Sequence, residues 1–434
     1  MHLPSSNHPR IVVVGGGFAG LELIRQLKNE PFQVVLIDRN NYFTFQPLLY
    51  QVATAGLELT SVVYPFRRIL RRNDNVLFRL AEVTKVDPEN HTLTTSIGEI
   101  AYDYLVLATG SRPIFFGLPP EHLITMKTTE DALYMRNTVL TEFERAVNAA
   151  DHQKTQRLIN LVIVGGGPTG VELAGAFAEM RKYVLPRDYP ELDLDRMKIY
   201  LVEGLDRLLP AMSEQSSRAA QKFLENMGVS VRLNQMIEDY DGASIRIDDE
   251  YIPTHNLIWT AGVKANRPEG LTDQIDTKGN RMVVDRVNRL VGYRDVYAIG
   301  DVAAMLSEDY PAGHPQLAPV AQQQGKHLAK NLVRLQKGQA AEFFNYNDKG
   351  TMATIGRNKA VADLPFGKTQ GTIAWFLWML IHLITLVGFR NKVVTLINWM
   401  YGYFRNDRAL RIIQRQSKRK RTNKRPELSE DEMQ

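Results

Sequence analysis

The sequence predicts an α/β protein in which one Rossmann-like domain is inserted into another, followed by a C-terminal α/β region. Two observations lead to this fold class. Residues 11–20 and residues 161–170 each run from four apolar residues directly into a Gly-x-Gly-x-x-Gly motif. Such a motif between a buried strand and a helix is typical of dinucleotide binding. The chain also has 434 residues, 44% of them apolar and 23% charged, which suits a globular protein of two or three domains.

The first motif predicts a strand over 11–14 and a helix over 19–27. Its glycines serve a tight turn, close approach of a pyrophosphate, and close packing of helix on strand; in that order they are Gly15, Gly17 and Gly20. The helix N-terminus favours the anion. The next strand, 33–37, ends at Asp38, whose carboxylate can bind a ribose hydroxyl. A glycine-rich turn without a ligand is the alternative for a motif of this kind taken alone.

The second motif predicts a strand over 161–164 and a helix from about Val171 to Val184, with the same three roles for Gly165, Gly167 and Gly170. We assign Leu185 to Asp195 to a loop. The following strand, 198–202, ends at Glu203, which would bind the ribose 2′-hydroxyl of NADH. A carboxylate there repels the 2′-phosphate of NADPH, so NADH is the expected substrate. A surface glutamate at a strand end is the alternative.

Glu172 follows the second motif by two residues and lies in the first turns of its helix. Phosphate binding does not explain a carboxylate at this place, so it can point toward the nicotinamide. The alternative is an acidic residue that the helix dipole stabilises. Glu22 occupies the equivalent place after the first motif, which makes that alternative serious.

The chain contains no cysteine, and its net charge is only +5. Disulfides, cysteine-ligated clusters and thiol catalysis are therefore excluded, and electrons from a bound cofactor must pass directly to an external acceptor. The first ten residues are polar and lack the apolar core of a signal peptide, so we predict a cytoplasmic protein.

Further segments resemble the FAD-binding two-dinucleotide flavoproteins. Residues 104–110 form a strand that ends in Ala-Thr-Gly, and residues 295–301 form one that ends in Gly-Asp. The resemblance implies that Asp301 binds the ribityl and phosphate region of FAD; the alternative is an aspartate that caps a following helix. Residues 258–262 end the second domain as 108–110 end the first half. We therefore expect the first domain to stop near residue 115 and to resume near 263.

The C-terminal third makes the resemblance more specific. Residues 352–362, the apolar block 371–389 and the segment 390–404, together with Phe45–Leu49, resemble the type II, non-pumping NADH:quinone oxidoreductases over nearly the whole chain. That implies non-covalent FAD, NADH docking on its face, and a quinone that arrives from the membrane side. In the family segment beside the quinone tunnel, Pro319 replaces a frequent glutamine. The candidates that remain near the quinone are Gln323, Gln324 and, at the tunnel entrance, Lys368.

The uncharged run Thr369–Phe389 is long enough to span a bilayer. Three hypotheses are a single span, a buried helix of a dimer, and two helices in the membrane interface; the aromatic residues and the short second run 393–404 favour the third. Ten Lys or Arg lie between 405 and 425. With helical spacing in its first part, this stretch can face anionic phospholipids. Nucleic-acid binding does not explain its position after an apolar block, so we predict no nucleic-acid partner.

These inferences give an FAD-binding domain over 10–115 and 263–342, an NADH-binding domain over 116–262, a C-terminal membrane-association region over 343–413, and a charged, disordered tail over 414–434. The predicted catalytic residues are Glu172, Gln323, Gln324 and Lys368, and no metal site is predicted. The predicted cofactor-binding residues are Gly15, Gly17, Phe18, Ala19, Gly20, Asp38, Arg39, Pro47, Ala108, Thr109, Gly110, Gly300, Asp301, Gly165, Gly167, Pro168, Thr169, Gly170, Glu203, Ala261 and Gly262.

The function that this arrangement predicts is FAD-dependent oxidation of NADH with two-electron reduction of a membrane quinone. The enzyme would be a homodimer docked peripherally on the cytoplasmic face of the cell membrane. The alternatives are a soluble NADH:ferredoxin or NADH:oxygen oxidoreductase and a non-enzymatic flavoprotein redox sensor. Sulfide:quinone reductase shares the architecture but relies on cysteines, which this chain lacks.

Overall fold

The structure is a computed structural model and describes residues 1–271, 277, 279–405, 407, 408 and 410–414. The predicted tail lies outside the described residues beyond Gln414. The strands are β1 Arg10–Val14, β2 Gln33–Asp38, β3 Tyr42–Thr44, β4 Val63–Pro65, β5 Val76–Leu80, β6 Val83–Asp87, β7 Thr92–Thr95, β8 Gly98–Ala101, β9 Tyr104–Leu107, β10 Ser111–Pro113, β11 Ile124–Thr125, β12 Leu161–Val164, β13 Ile199–Glu203, β14 Val229–Leu233, β15 Asp239–Tyr240, β16 Ser244–Ile247, β17 Glu250–Pro253, β18 Asn256–Trp259, β19 Val263–Ala265, β20 Met282–Val284, β21 Val296–Ala298, β22 Ala303–Met305, β23 Thr351–Gly356, β24 Lys359–Leu364 and β25 Gly367–Gln370. The helices are α1 Phe18–Gln26, α2 Leu49–Ala53, α3 Leu59–Val62, α4 Phe66–Ile69, α5 Thr129–Val147, α6 His152–Ile159, α7 Pro168–Glu179, α8 Leu185–Asp188, α9 Glu214–Asn226, α10 Ala318–Gln336, α11 Thr372–Thr385 and α12 Phe389–Arg405.

The first motif lies at the carboxyl end of a five-stranded parallel sheet with the order β21-β9-β1-β2-β5. The β1 residues 11–14 are buried, as expected for a central strand covered on both faces. Helix α10 packs against α1, and a Cβ added at Gly325 would lie 2.3 Å from the Ala19 carbonyl oxygen. Only glycine therefore allows these two helices to approach this closely.

The second motif lies in a second parallel sheet, with the order β11-β18-β12-β13-β14. The chain leaves the first sheet through β10 and returns through β19. These two strands pair antiparallel, with Ser111 opposite Ala265. The connections into and out of the inserted sheet therefore run side by side, and the predicted fold class is confirmed.

Two local predictions around the second motif need correction. The helix expected from Val171 begins at Pro168, because proline suits the first position of a helix, where its missing N–H is not needed. This α-helix ends at Glu179 and continues as a π-helical segment, Met180–Val184. The region 185–195 is not entirely loop, since its first four residues form α8, again with a proline in the first turn.

The C-terminal region consists of the antiparallel sheet β23-β24-β25 followed by α11 and α12. This sheet packs directly on α7, where a Cβ added at Gly175 would lie 1.6 Å from the Ile355 carbonyl oxygen. The largest core cluster extends from the two parallel sheets to Trp378 and Leu386. The C-terminal helices are therefore packed on the body of the protein through part of their surface.

The long uncharged run does not form a single helix. It is divided between β25, the 14-residue helix α11, and a turn in which Gly388 has a φ of +90°. In the part of the chain that the structure describes, no helix combines the length and the apolar character needed to cross a bilayer.

Candidate functional site

The first glycine turn is shaped to receive a phosphate group. Gly15 has a φ of +99°, and a Cβ there would lie 2.4 Å from the Ala108 carbonyl oxygen. By contrast, a Cβ at Gly17 would meet no atom of the described residues within 4 Å, so the space in front of this residue is open. Among the described residues, no side chain caps the N-terminus of α1. The free N–H groups of this helix end are therefore available to an anion.

Asp38 closes the same turn from the end of β2. Its carboxylate accepts hydrogen bonds from the backbone N–H groups of Gly16 and Asn40, each at 2.7 Å. Burial raises its pKa, while these two hydrogen bonds oppose the rise. Nearby, the predicted Arg39 is exposed, and Pro47 lies in a short 3-10 turn after β3.

The second turn repeats this construction. In the described part of the chain, a Cβ at Gly167 would meet no atom within 4 Å, and no side chain caps the N-terminus of α7. Glu203 accepts hydrogen bonds from the backbone N–H groups of Gly166, at 2.5 Å, and Leu205, at 2.9 Å. Each sheet thus has an open, uncapped helix N-terminus with a carboxylate fixed beside it by the backbone.

A third group of polar side chains lies beside β10 and is centred on Asp301. The Asp301 carboxylate accepts a hydrogen bond from Ser111 Oγ at 2.7 Å and lies 3.5 Å from Lys127 Nζ. Lys127 Nζ also donates to Ser111 Oγ at 2.9 Å. Sequence reasoning identified Asp301 but missed its two partners, because their positions, 190 and 174 residues away, carry no motif.

These features fit FAD in the first sheet. Thr109 Oγ1 is buried and has no hydrogen-bond partner among the described residues, and a Cβ at the adjacent Gly110 would meet no atom within 4 Å. An unpartnered buried hydroxyl beside open space is the environment expected where a polar ligand binds. In the second sheet, Ala261 and Gly262 follow β18 in the equivalent place.

The predicted quinone-site residues are not all brought together. Gln324 is buried, and its Oε1 accepts a hydrogen bond from the Gly300 N–H at 2.7 Å, beside Asp301. Gln323 instead bonds the backbone of Asn347, with Nε2 donating at 2.9 Å and Oε1 accepting at 3.0 Å. Lys368 is exposed on β25.

Glu172 lies on the first turns of α7, where the helix faces β23. It is 9% exposed. Burial raises its pKa well above the ordinary range, and a hydrogen bond from the Thr354 backbone only partly opposes this. Tyr50 is also buried, and its pKa is raised well above the ordinary range by burial and then by the charge of Glu172. Burial thus favours the protonated form of both Glu172 and Tyr50.

An aromatic wall connects the first motif to the C-terminal helices. The Phe18 ring lies edge-on to Phe45, with centroids 5.8 Å apart, and Phe45 is edge-on to His382 at 6.2 Å. His382 stacks on Trp378 with centroids 4.1 Å apart, and its Nδ1–H donates to the Trp378 carbonyl at 2.8 Å. Burial lowers the pKa of His382 to about 4, so the ring is neutral. Sequence reasoning missed this histidine, because it lies within an otherwise apolar run.

The arginines after α12 differ from the prediction that they face lipid. Arg408 lies 3.1 Å from the Glu179 carboxylate and donates to the Thr54 carbonyl at 3.0 Å. Arg411 pairs with Asp188 and Asp407. Residues 407, 408 and 410–414 are not helical. These guanidinium groups are used within the protein because carboxylates at the end of α7 and on α8 lie opposite them.

Two family models match the chain. The pyridine nucleotide-disulphide oxidoreductase family matches residues 9–325. The NDH2 C-terminal domain matches residues 349–405. Together these matches cover both glycine motifs, Glu172 and the helices α11 and α12.

Individual relatives match over nearly the full length. Type II NADH:quinone oxidoreductase Ndh of Mycobacterium tuberculosis is 32% identical over 425 residues, covering 94% of this chain and 90% of the relative. The mitochondrial internal alternative NAD(P)H-ubiquinone oxidoreductase A1 of Arabidopsis thaliana is 30% identical, covering 90% and 83%. The structure of NDH2 from Plasmodium falciparum in complex with NADH superposes with a TM-score of 0.85 at 20% identity, covering 93% of this chain and all of that one. This last likeness shows the fold.

Proposed function

This chain belongs to the type II NADH:quinone oxidoreductases within the pyridine nucleotide-disulphide oxidoreductase family, and from that premise we propose how its residues bind the cofactors, hold a proton and meet the membrane. The protein is a flavoenzyme that oxidises NADH and reduces a quinone by two electrons. Its matches favour this activity over a soluble ferredoxin or oxygen reductase and over a redox sensor. One observation carries the proposal. Helix α7, which follows the second glycine turn, packs directly on the sheet β23-β24-β25, and this sheet leads into α11 and α12.

FAD, when bound, accepts a hydride from the nicotinamide and gives two electrons to the quinone. The residues that would hold its pyrophosphate are the turn around Gly17 and the N-terminus of α1, with Asp38 at its ribose. Asp301 would bind the ribityl and phosphate region. The support for these roles is the open space and the uncapped helix end in the first sheet, together with the unpartnered Thr109 hydroxyl.

NADH would bind at the second glycine turn in the same way. Gly167 lets the backbone approach the pyrophosphate, and Glu203 accepts a hydrogen bond from the ribose 2′-hydroxyl. Because two backbone N–H groups already fix this carboxylate, it is held in place before the nucleotide arrives. Its charge disfavours a 2′-phosphate, which gives the preference for NADH over NADPH.

Glu172 would supply a proton when quinone is reduced. Burial raises the pKa of this carboxyl and so favours its protonated form, which can give a proton to a developing quinol oxygen. Reduction of a quinone by two electrons also takes up two protons, so the second comes from solvent or from another group. The neutral aromatic wall around Phe45 and His382 would exclude water from the path between the flavin and the quinone.

The membrane contact is supported by the inverted polarity of α12. Its buried residues are Asn391 and Thr395. The exposed face carries apolar side chains, among them Phe389 at 82% exposure and Phe404 at 73%. A helix that turns polar residues inward and large apolar residues outward is unfavourable in water, so a hydrocarbon environment is expected outside it. Helix α11 adds exposed apolar residues on one face: Ile373, Phe376, Leu380 and Ile384.

We also propose that the chain forms a homodimer on the cytoplasmic face of the membrane; the support is membership of the family. Light scattering of the detergent-solubilised enzyme tests the homodimer, and a molar mass equal to that of one chain would overturn it. Digestion of the enzyme by protease added to inside-out or right-side-out membrane vesicles tests which face of the membrane it occupies.

The activity is tested by mixing the purified, FAD-loaded enzyme with NADH without oxygen and then adding menaquinone or ubiquinone analogues. The flavin absorbance should bleach with NADH and recover with quinone. Bleaching that no quinone reverses would overturn quinone reduction. NADPH serves as the control donor and should bleach the flavin much more slowly.

A further inference from the structure

A basic rim surrounds the turn between α11 and α12, and half of its residues come from outside the C-terminal region. The rim consists of Arg25 on α1, Arg68 on α4, and Arg390 and Lys392 at the start of α12. Its arginines are exposed, and Lys392 is half-buried. At the centre of the rim, Phe389 is 82% exposed.

Direct contacts hold α4 and its preceding strand against this turn. The Arg68 guanidinium lies over the Tyr64 ring, 5.3 Å from its centroid. The same ring packs so closely on Gly388 that a Cβ there would lie 2.2 Å from it. Asn391 Nδ2 donates to the Val63 carbonyl at 2.9 Å. Arg68 is thus joined through one ring to the residue that precedes Phe389.

On the other side, Arg25 and Lys392 line a groove of about 420 Å³ with the turn 384–389. Lys392 Nζ donates to the Ile384 carbonyl, at the end of α11, at 2.5 Å. Ile384 is 62% exposed. The groove therefore combines two cations with apolar walls and opens beside the face that we assign to the membrane.

Among the described residues, no carboxylate pairs with the cations of this rim, although several arginines elsewhere in the chain form ion pairs. Further exposed arginines extend the rim along and beyond α4: Arg67, Arg71 and Arg72. An uncompensated cluster of cations beside an exposed apolar face is complementary to a surface that has anionic headgroups above hydrocarbon.

We propose that Arg25 and Arg68, together with the α12 cations, bind the phosphate headgroups of anionic phospholipids when α11 and α12 rest in the membrane interface. The inference rests on the membrane docking proposed above and adds to it a lipid-charge requirement that originates in the FAD-binding half of the chain. It also reassigns the source of positive charge, because Arg408 and Arg411 are paired within the protein. With cations on both sides of the turn, the enzyme is held in one orientation on the bilayer.

The test is vesicle flotation of the full-length, FAD-loaded enzyme and of the double variant Arg25→Gln/Arg68→Gln. Vesicles are made of phosphatidylcholine alone or of phosphatidylcholine with phosphatidylglycerol. On the anionic vesicles at low salt, the variant should bind roughly 25-fold more weakly, from a factor of about five for each of the two charges near an anionic surface. The loss should shrink at high salt, because screening weakens the wild-type contact.

The matched control is Lys154→Gln/Lys198→Gln, which removes two exposed charges from the NADH-binding region. It should bind anionic vesicles nearly as well as the wild type. Equal binding of the two double variants would overturn the proposal, and so would an equal loss on both vesicle types, since that indicates a structural effect. Flavin content and reduction of a short-tailed quinone should stay unchanged in both variants.

A third variant separates this inference from the docking on which it rests. Phe389→Ser should weaken binding to both kinds of vesicle, because it removes an apolar contact. Failure of the wild type to bind either kind would overturn the membrane docking itself. Wild-type binding that ignores lipid charge would overturn only the role of the basic rim.

Discussion

His382 makes the stability of the protein sensitive to acid. In the folded chain, burial against Trp378 and Phe45 lowers its pKa from 6.5 to about 4. Between these pH values the unfolded chain binds a proton at this histidine and the folded chain does not. The contribution to the free energy of unfolding is therefore fully present above pH 6.5 and is lost as the pH falls toward 4. At about 1.4 kcal/mol for each pKa unit, the loss amounts to about 3 kcal/mol.

The assay compares the wild type with His382→Phe, which keeps a ring beside Trp378 but cannot be protonated. The melting temperature of each protein in detergent is followed by flavin fluorescence at a series of pH values between 7 and 4. The wild type should lose more stability than the variant, with the gap opening below pH 6.5. His152→Phe, at the exposed start of α6, is the control and should follow the wild type. Parallel curves for the wild type and His382→Phe would refute the reasoning.

Four other predictions concern the nucleotide site and the C-terminal attachment. Glu203→Arg should lower kcat/KM for NADH and raise it for NADPH in steady-state assays; an unchanged ratio contradicts the ribose contact. Glu172→Gln should slow flavin reoxidation by quinone about 100-fold in stopped flow. As the pH rises above 4.5, the melting temperature of this variant should increase relative to that of the wild type. The reason is that burial raises the pKa of the wild-type carboxyl, so the folded wild type loses stability where the unfolded chain ionises this group more readily. Gly175→Ala should cost at least about 2 kcal/mol in unfolding free energy, since the new methyl meets a carbonyl oxygen. Arg408→Gln should cost about 2 kcal/mol by removing the ion-pair partner of Glu179, and Arg207→Gln is a control that should cost little.

The two glycine turns and the carboxylates beside them could be predicted from the sequence because their determinants are local. A glycine with a φ of +99°, such as Gly15, and a carboxylate at the end of the next strand, such as Asp38, lie within one strand–helix–strand unit. Hydrophobic periodicity and motif spacing report such units directly. The same holds for Glu203 in the second sheet.

The rest of the site depends on residues that only the tertiary fold brings together. Lys127, which follows β11 of the second sheet, reaches Asp301, and Arg408 reaches Glu179 from far along the chain. Helical spacing suggested that Arg408 faces lipid, but a carboxylate opposite it decides otherwise. Gln323 shows the same limit, since its amide is used by the backbone of Asn347. Single-sequence patterns contain no information on which distant partner satisfies a polar group.

The contact at Gly175 has a mechanical consequence. Because a helix backbone there lies directly on a strand backbone, no flexible side chain separates the nucleotide-binding end from the end that we propose faces the membrane. Protein interiors of this density transmit displacement and do not absorb it. We therefore expect the two ends to move as one rigid body. Turnover then proceeds by exchange of ligands while the distance between the two ends stays fixed, without motion of one domain toward the other.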